Sequence, residues 1–155
     1  MTTEQLLETW DINNRINLYL LDAVAPAHLK DTNATKGRNV GEQFAHLHNV
    51  RLMWLKVSAP DLMKKLAKIE KDDAAKKDLL RKSLAASAEA IRSLLRKSLE
   101  SDGKIKGFKP HAGAFLGYLI SHESHHRGQI MLALKHSGHA VDKKIQYGMW
   151  EWGVR

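Results

Sequence analysis

Three of the nine histidines fall within five residues, in the stretch Ser121-His122-Glu123-Ser124-His125-His126-Arg127-Gly128-Gln129. The surrounding sequence, Phe115 to Leu134, contains no proline and reads as helix. His122 and His126 are four apart, so on a helix their imidazoles stand one above the other on one face. Two imidazoles so placed can bind one metal ion between them. Counting in threes and fours from Leu119 gives 122, 126, 129 and 133, which predicts that both histidines lie in the inward stripe with Phe115, Leu119, Ile130 and Ala133. His125 is turned about 60° from His122 around the helix, at an edge or in solvent.

Stacked histidines inside a bundle need partners. A buried imidazole with an unmet polar group costs about 1–3 kcal/mol. A neighbouring carbonyl can remove that penalty for one histidine. A metal ion removes it for a pair by using both lone pairs, and bundle cores are where such sites are built.

A third ligand is available in Phe44-Ala45-His46-Leu47-His48. His46 precedes Val50, Met53 and Val57 by four, seven and eleven, whereas His48 shares a face with Phe44, Leu52 and Leu55. Periodicity alone does not decide between them, although it leans to His46. Three histidines and a water would leave an open coordination position, as catalytic centres do. Gln129 is a candidate hydrogen-bonding neighbour of the ligands, and Arg127, His48 and His125 are candidate site-lining groups. Three imidazoles suit zinc, nickel or iron.

The segment His122-Glu123-Ser124-His125-His126 also matches H-E-x-x-H, the zinc-peptidase helix in which Glu is the general base. No third ligand follows at the metzincin spacing, where this chain has Leu132. Glu123 is turned about 100° from His122 and is not assigned as a base. No residue is assigned a catalytic role.

The elements that must position these residues are helical. Thr2 and Gln5 fit a capping box for a first helix carrying Leu6, Leu7, Trp10, Ile16, Leu20 and Val24, interrupted by Asn13, Asn14 and Asn17 and ended by Pro26. A polar loop, Lys30 to Asn39, leads to a second helix from Val40 to Val57, stopped by Ser58-Ala59-Pro60. A short helical piece within Asp61 to Asp72 precedes a third long helix, Asp73 to Glu100, whose inward stripe is Leu80, Leu84, Ala88, Ile91 and Leu95. The fourth spans His111 to His136, closed by Ser137-Gly138. No run alternates with period two, so no strand is expected. The expectation is an all-α, up-down four-helix bundle over residues 1–155 as a single domain. It has one long crossover, and the tail with Tyr147, Met149, Trp150 and Trp152 packs back on the bundle.

Composition narrows the function. A hydrophobic content of 43% over 155 residues suits a globular domain, and no apolar run is long enough to span a membrane. The absence of cysteine excludes disulfides, thiolate nucleophiles and Cys-ligated metals. Glu4, Glu8 and Asp11 argue against a secretory signal, so a cytoplasmic location is expected. The net charge of +8 lies largely between Lys64 and Lys97, interleaved with acids, as on a solvated helix face; nucleic acid is not the expected partner.

Three segments together resemble the DinB/YfiT-like superfamily of metalloenzymes. They are Phe44-Ala45-His46 followed by Trp54, then His122-x-x-x-His126-Arg127-Gly128-Gln129-Ile130, and the tail Tyr147-Gly148-Met149-Trp150-x-Trp152. The likeness runs through most of the chain in order and spacing. It implies a bundle, often dimeric, with a divalent metal on His46, His122 and His126, and thiol-dependent transferase or isomerase chemistry among members with assigned activity. The extra histidines His48 and His125 depart from that pattern. The expected function is a metal-dependent enzyme that activates water or a low-molecular-weight thiol, acting on a small molecule as a homodimer. The competing readings are a non-catalytic metal-binding stress-response or interaction protein, the H-E-x-x-H peptidase, and a nucleic-acid binder.

Overall fold

The computed structural model describes residues 1–33 and 37–155; Ala34, Thr35 and Lys36 of the polar loop lie outside it. Four long helices form the bundle: α1 (Thr3–Ala23), α2 (Val40–Ser58), α3 (Lys77–Leu99) and α4 (Ala112–His136). The Thr2–Gln5 capping box starts α1 as its sequence predicts. A second box, Asn39 with Glu42, starts α2 and fixes the chain's entry just before the first candidate ligand.

Cross-helix partners give the directions. Asp22 pairs with Arg81 and Asp11 with Arg92, so α1 and α3 are antiparallel. His48 meets Ser83 and Arg51 meets Ser87, so α2 and α3 run parallel. Gln43 meets His126 while Trp54 meets Phe115, so α2 and α4 are antiparallel. The order is up, down, down, up. The long crossover is therefore the segment 59–76, which must travel the length of the bundle to join two parallel helices. It contains two single 3₁₀ turns, Pro60–Met63 and Lys71–Asp73, and α3 begins at Lys77, one turn later than the expected Asp73.

No strand was expected, yet Lys104–Ile105 (β1) and Phe108–His111 (β2) form a small antiparallel hairpin. Its strands are too short to display a period-two pattern. Its turn needs Gly107, whose φ is +84° and whose added Cβ would lie 2.6 Å from Val57 Cγ1. β2 runs straight into α4 and carries Phe108 onto Trp54, Phe115 and Tyr118. After α4, Gly138 at φ +80° closes a Schellman turn, with His139 N–H donating to Leu134 O at 2.8 Å.

The apolar core is in two halves. One contains Leu20, Phe44, Leu47, Leu80, Leu84 and Ile130; the other contains Leu7, Trp10, Leu55, Ile91, Leu95, Phe115 and Leu119. Between them lies a buried polar layer to which every long helix contributes: Asn13, Asn14 and Asn17, Arg51, Ser87, and Glu123 with Arg127. The three asparagines that interrupt the apolar stripe of α1 are this layer's first row.

The tail packs back through its last residues. A short α5 (Lys143–Gly148) brings Gly148 against Tyr19, Arg155 lies 3.8 Å over the Tyr19 ring, and Arg155 Nε donates to Gly148 O at 2.7 Å. Tyr147 and Trp150 nonetheless face solvent. No helix among the described residues is long and apolar enough to cross a membrane.

Candidate metal centre

The inward face of α2 is not the one its apolar spacing suggests. Met53 and Val57 are about half exposed, while Phe44, Leu47, His48, Arg51 and Leu55 are buried. On α4 the fully buried position after Leu119 is Glu123, one residue past the predicted His122. Both helices are rotated by a position because the polar layer, not a hydrocarbon stripe, occupies the bundle's middle. His46, His122 and His126 consequently lie on the flank between α2 and α4, half-buried or buried, instead of on the bundle axis.

There they converge. The ring centroids of His46 and His126 are 4.5 Å apart, those of His122 and His126 4.5 Å, and those of His46 and His122 5.3 Å. All three pairs are steeply inclined, and one ligand nitrogen from each ring lies within 4.8 Å of the others. His126 Nε2 and His122 Nε2 are 3.1 Å apart. Two nitrogens each bound to one ion at the usual metal–imidazole length would be separated by roughly 2.9–3.4 Å, from right-angled to tetrahedral geometry. The pair fits that span.

Gln43, one turn before Leu47, fixes the tautomer. Its Oε1 lies 2.6 Å from His126 Nδ1 and can only accept, so Nδ1 carries the proton and Nε2 offers its lone pair to the site. This is the role expected of Gln129, which instead lies 3.4 Å from the exposed His125. Gln43 was legible only as a position three before His46. His122 Nδ1 is buried and has no hydrogen-bond partner among the described residues, which makes the triad a costly arrangement for structure alone.

The electrostatics favour neutral ligands. Desolvation, with Arg38 and His122 adding repulsion, lowers His46 to about 4. Desolvation, together with His122, His46, His125 and Arg38, lowers His126 to about 3. His122 is lowered as well, by desolvation first and then by His125 and Arg38 against the pull of Glu123. At neutral pH all three lone pairs are free of protons.

His46 also lines an open cleft of about 490 Å³ with Arg38, Glu42, Asn49, Lys68 and Lys71. One wall of this cleft is the crossover. Asn49 holds it by two bonds to Ile69, one at 2.9 Å to its carbonyl and one at 3.0 Å from its amide. His48 holds it too, its ring lying between Ala67 O at 2.8 Å and Ser83 O at 3.0 Å. His48 is thus a pin between α2, α3 and the crossover and does not face the triad.

Arg127 and Glu123 belong to the polar layer. Arg51 Nε and Nη2 grip the Glu123 carboxylate at 2.7 and 2.9 Å, and Asn13 and Asn17 donate to it at 2.6 and 2.7 Å. Burial would raise the Glu123 carboxyl, but Arg51, Asn17 and Asn13 hold it below the usual carboxylate value. With its oxygens so committed, Glu123 cannot serve as the base of an H-E-x-x-H peptidase. Arg127 Nη1 donates to Asn13 and Asn17 at 2.9 and 2.6 Å, so this residue does not line the histidine cleft.

A second group of ligand-type residues, His28, Asp31 and His139, gathers just beyond the C-terminal end of α4. Its rings are stacked with centroids 3.6 Å apart and planes only 6° from parallel. An ion shared by two such rings would sit well out of both planes, where imidazole has no lone pair to give. With His139 Nδ1 at 2.6 Å from Asp31 Oδ2, the group is a latch tying the Pro26–Lys30 turn to the end of α4.

The fold and the site together define a helical bundle with three imidazoles converging on one flank, a group that could hold a metal ion. The chain belongs to the DinB family, whose model matches residues 1–148. Comparison with curated proteins gave no match, and comparison with solved structures gave none either.

Proposed function

We propose that this protein is a metal-dependent enzyme in which His46, His122 and His126 hold a divalent ion, zinc, nickel or iron, that activates a water or a low-molecular-weight thiol. The observation that carries the reading is the convergence of three neutral imidazoles, of which His46 lines an open cleft. When bound, the ion supplies Lewis acidity and lowers the pKa of a water or thiol beside it.

The chain's own residues supply the rest. Gln43 holds the His126 ring in the tautomer that presents Nε2. The Arg51–Glu123 pair locks α2 to α4, and so sets the spacing of ligands that come from both helices. Lys68 and Lys71 pair with Glu70 and Glu42, whereas Arg38 makes no ion pair among the described residues and leaves the cleft with an excess cation. That charge suits an anionic small molecule, such as a thiol carrying a carboxylate.

Cobalt substitution tests the chemistry. Titrating a carboxylate-bearing thiol into the cobalt-loaded protein should produce an intense near-ultraviolet sulfur-to-cobalt band, weakened in Arg38→Ala. An unchanged spectrum at millimolar thiol would remove the thiol from the proposal and leave water as the nucleophile.

A further inference from the structure

The buried polar layer does not balance its charge. It holds two guanidinium groups, Arg51 and Arg127, and one carboxylate, Glu123, which Arg51 takes through two hydrogen bonds. Arg127 is 9% exposed and is held only through Nη1, by two neutral asparagine oxygens. Its Nε and Nη2 make no hydrogen bond among the described residues, and neither belongs to the fully enclosed unpaired atoms. Arg127 lines a cavity. Glu123 attracts Arg127, but its oxygens are taken by Arg51, Asn13 and Asn17, so the layer keeps one excess positive charge, and the cost of enclosing it falls when an anion reaches it.

The cavity has a volume of about 420 Å³ and lies between α1, α4 and the tail. Apart from Arg127 its walls are mainly apolar, with Ile16, Ile120, Met131, Met149 and Trp152 among them. Its α4 residues, including Ile120, Arg127 and Met131, face roughly opposite to His122 and His126 at 100° per residue. It is therefore separate from the histidine cleft, and it combines an apolar enclosure with one fixed charge, the usual design of a small-molecule site.

We infer that this cavity is a second binding site, for a small organic anion whose carboxylate meets Arg127 and whose apolar body lies against Met131, Met149 and Trp152. The charge-assisted contact would use the guanidinium edge that Asn13 and Asn17 leave free. The asparagines pre-orient that edge, so little freedom is lost on binding.

The probe pair is 4-phenylbutyrate and its neutral amide, titrated by calorimetry into the metal-loaded protein and again after chelation. The acid should bind saturably and about tenfold or more tightly than the amide, with and without metal. Gly128 lines the cavity, and a Cβ there meets nothing within 4 Å, so Gly128→Phe should fill the space and abolish binding while metal content and melting temperature hold. Arg127→Met should bring the acid down to the amide's affinity; if that variant fails to fold, the acid–amide comparison and Gly128→Phe still decide. Equal affinity for acid and amide, no saturable binding at millimolar acid, binding unaffected by Gly128→Phe, or binding lost on chelation would each overturn the site. So would sedimentation showing a dimer that Gly128→Phe splits and that does not bind the acid, since the face would then be covered by a second copy.

Discussion

At the scale of single residues, the candidate centre depends on groups that are not ligands. Gln43 gives His126 its acceptor, and losing such a partner typically weakens metal affinity by about 10–100-fold. Gln43→Leu should do so in competition titrations with a chelator, with little change in the circular dichroism of the bundle. An unchanged affinity would mean that the 2.6 Å contact does not hold the ring. Glu123→Ala should be far more damaging to the fold. It strands Arg51 in a site with 0% side-chain exposure, and breaking a buried pair in this way costs about 3–5 kcal/mol, readable by urea denaturation. These two variants separate residues that serve the candidate centre from residues that serve the bundle. Both sit beside the histidines in sequence, and neither role was legible there. A lone Gln or Glu on a helix has no spacing signature, and its partners lie 72 to 110 positions away for Glu123 and 83 for Gln43.

The titration of the histidines is also a residue-scale test. In the metal-free protein the folded-state values of His46 and His126 are lowered, chiefly by desolvation, to about 4 and about 3 from an ordinary 6.5. Between those values and 6.5 the unfolded chain binds protons that the folded chain refuses. This contribution to stability is therefore fully present above pH 6.5 and is lost as the pH falls toward 4 and then 3. The melting temperature of metal-free protein should drop over that window, and less steeply in His46→Ala. Identical slopes for the two proteins would show that the triad is not what titrates.

At the scale of elements, periodicity succeeded where a helix buries only hydrocarbon and slipped where it does not. The Leu80–Leu84–Ala88–Ile91–Leu95 stripe of α3 is buried as its spacing predicts. On α2 and α4 the inward residues at mid-bundle are Arg51 and Glu123, which a hydrophobic count passes over in favour of Met53 or His122. The shift moved the histidines from the bundle's axis to its flank, next to the cleft. His46 emerges as a member of the triad although the stripe that favoured it is partly exposed. The crossover 59–76 was legible only as a short helical piece, which the structure shows as two 3₁₀ turns too short to reveal a period. Asn49 and His48 pin it, so Asn49→Ala should raise amide exchange and proteolysis within 64–74 and loosen the cleft wall, at a cost of about 1–3 kcal/mol. Exchange that stays as slow as in the unaltered protein would assign the wall's order to packing of Ile69 instead.

At the scale of the whole molecule, the bundle is two apolar halves joined by a charged layer, with one histidine cleft on its α2–α4 flank and one cavity on the opposite side of α4. The layer's hydrogen bonds set the register of all four helices, and with it the distance between the candidate ligands on α2 and α4. In the proposed centre His46, His122 and His126 hold one metal ion, and His48 and His125 do not contribute. The most direct measurement is metal content per chain after reconstitution and desalting, for the unaltered protein and for the five His→Ala variants. Near one equivalent is expected in the unaltered protein and in His125→Ala. His46→Ala, His122→Ala and His126→Ala should each lose the ion while staying helical, and His48→Ala should lose stability before it loses metal. An unaltered protein without stoichiometric metal, or a His46→Ala variant that retains it while His48→Ala does not, would contradict the three-histidine centre.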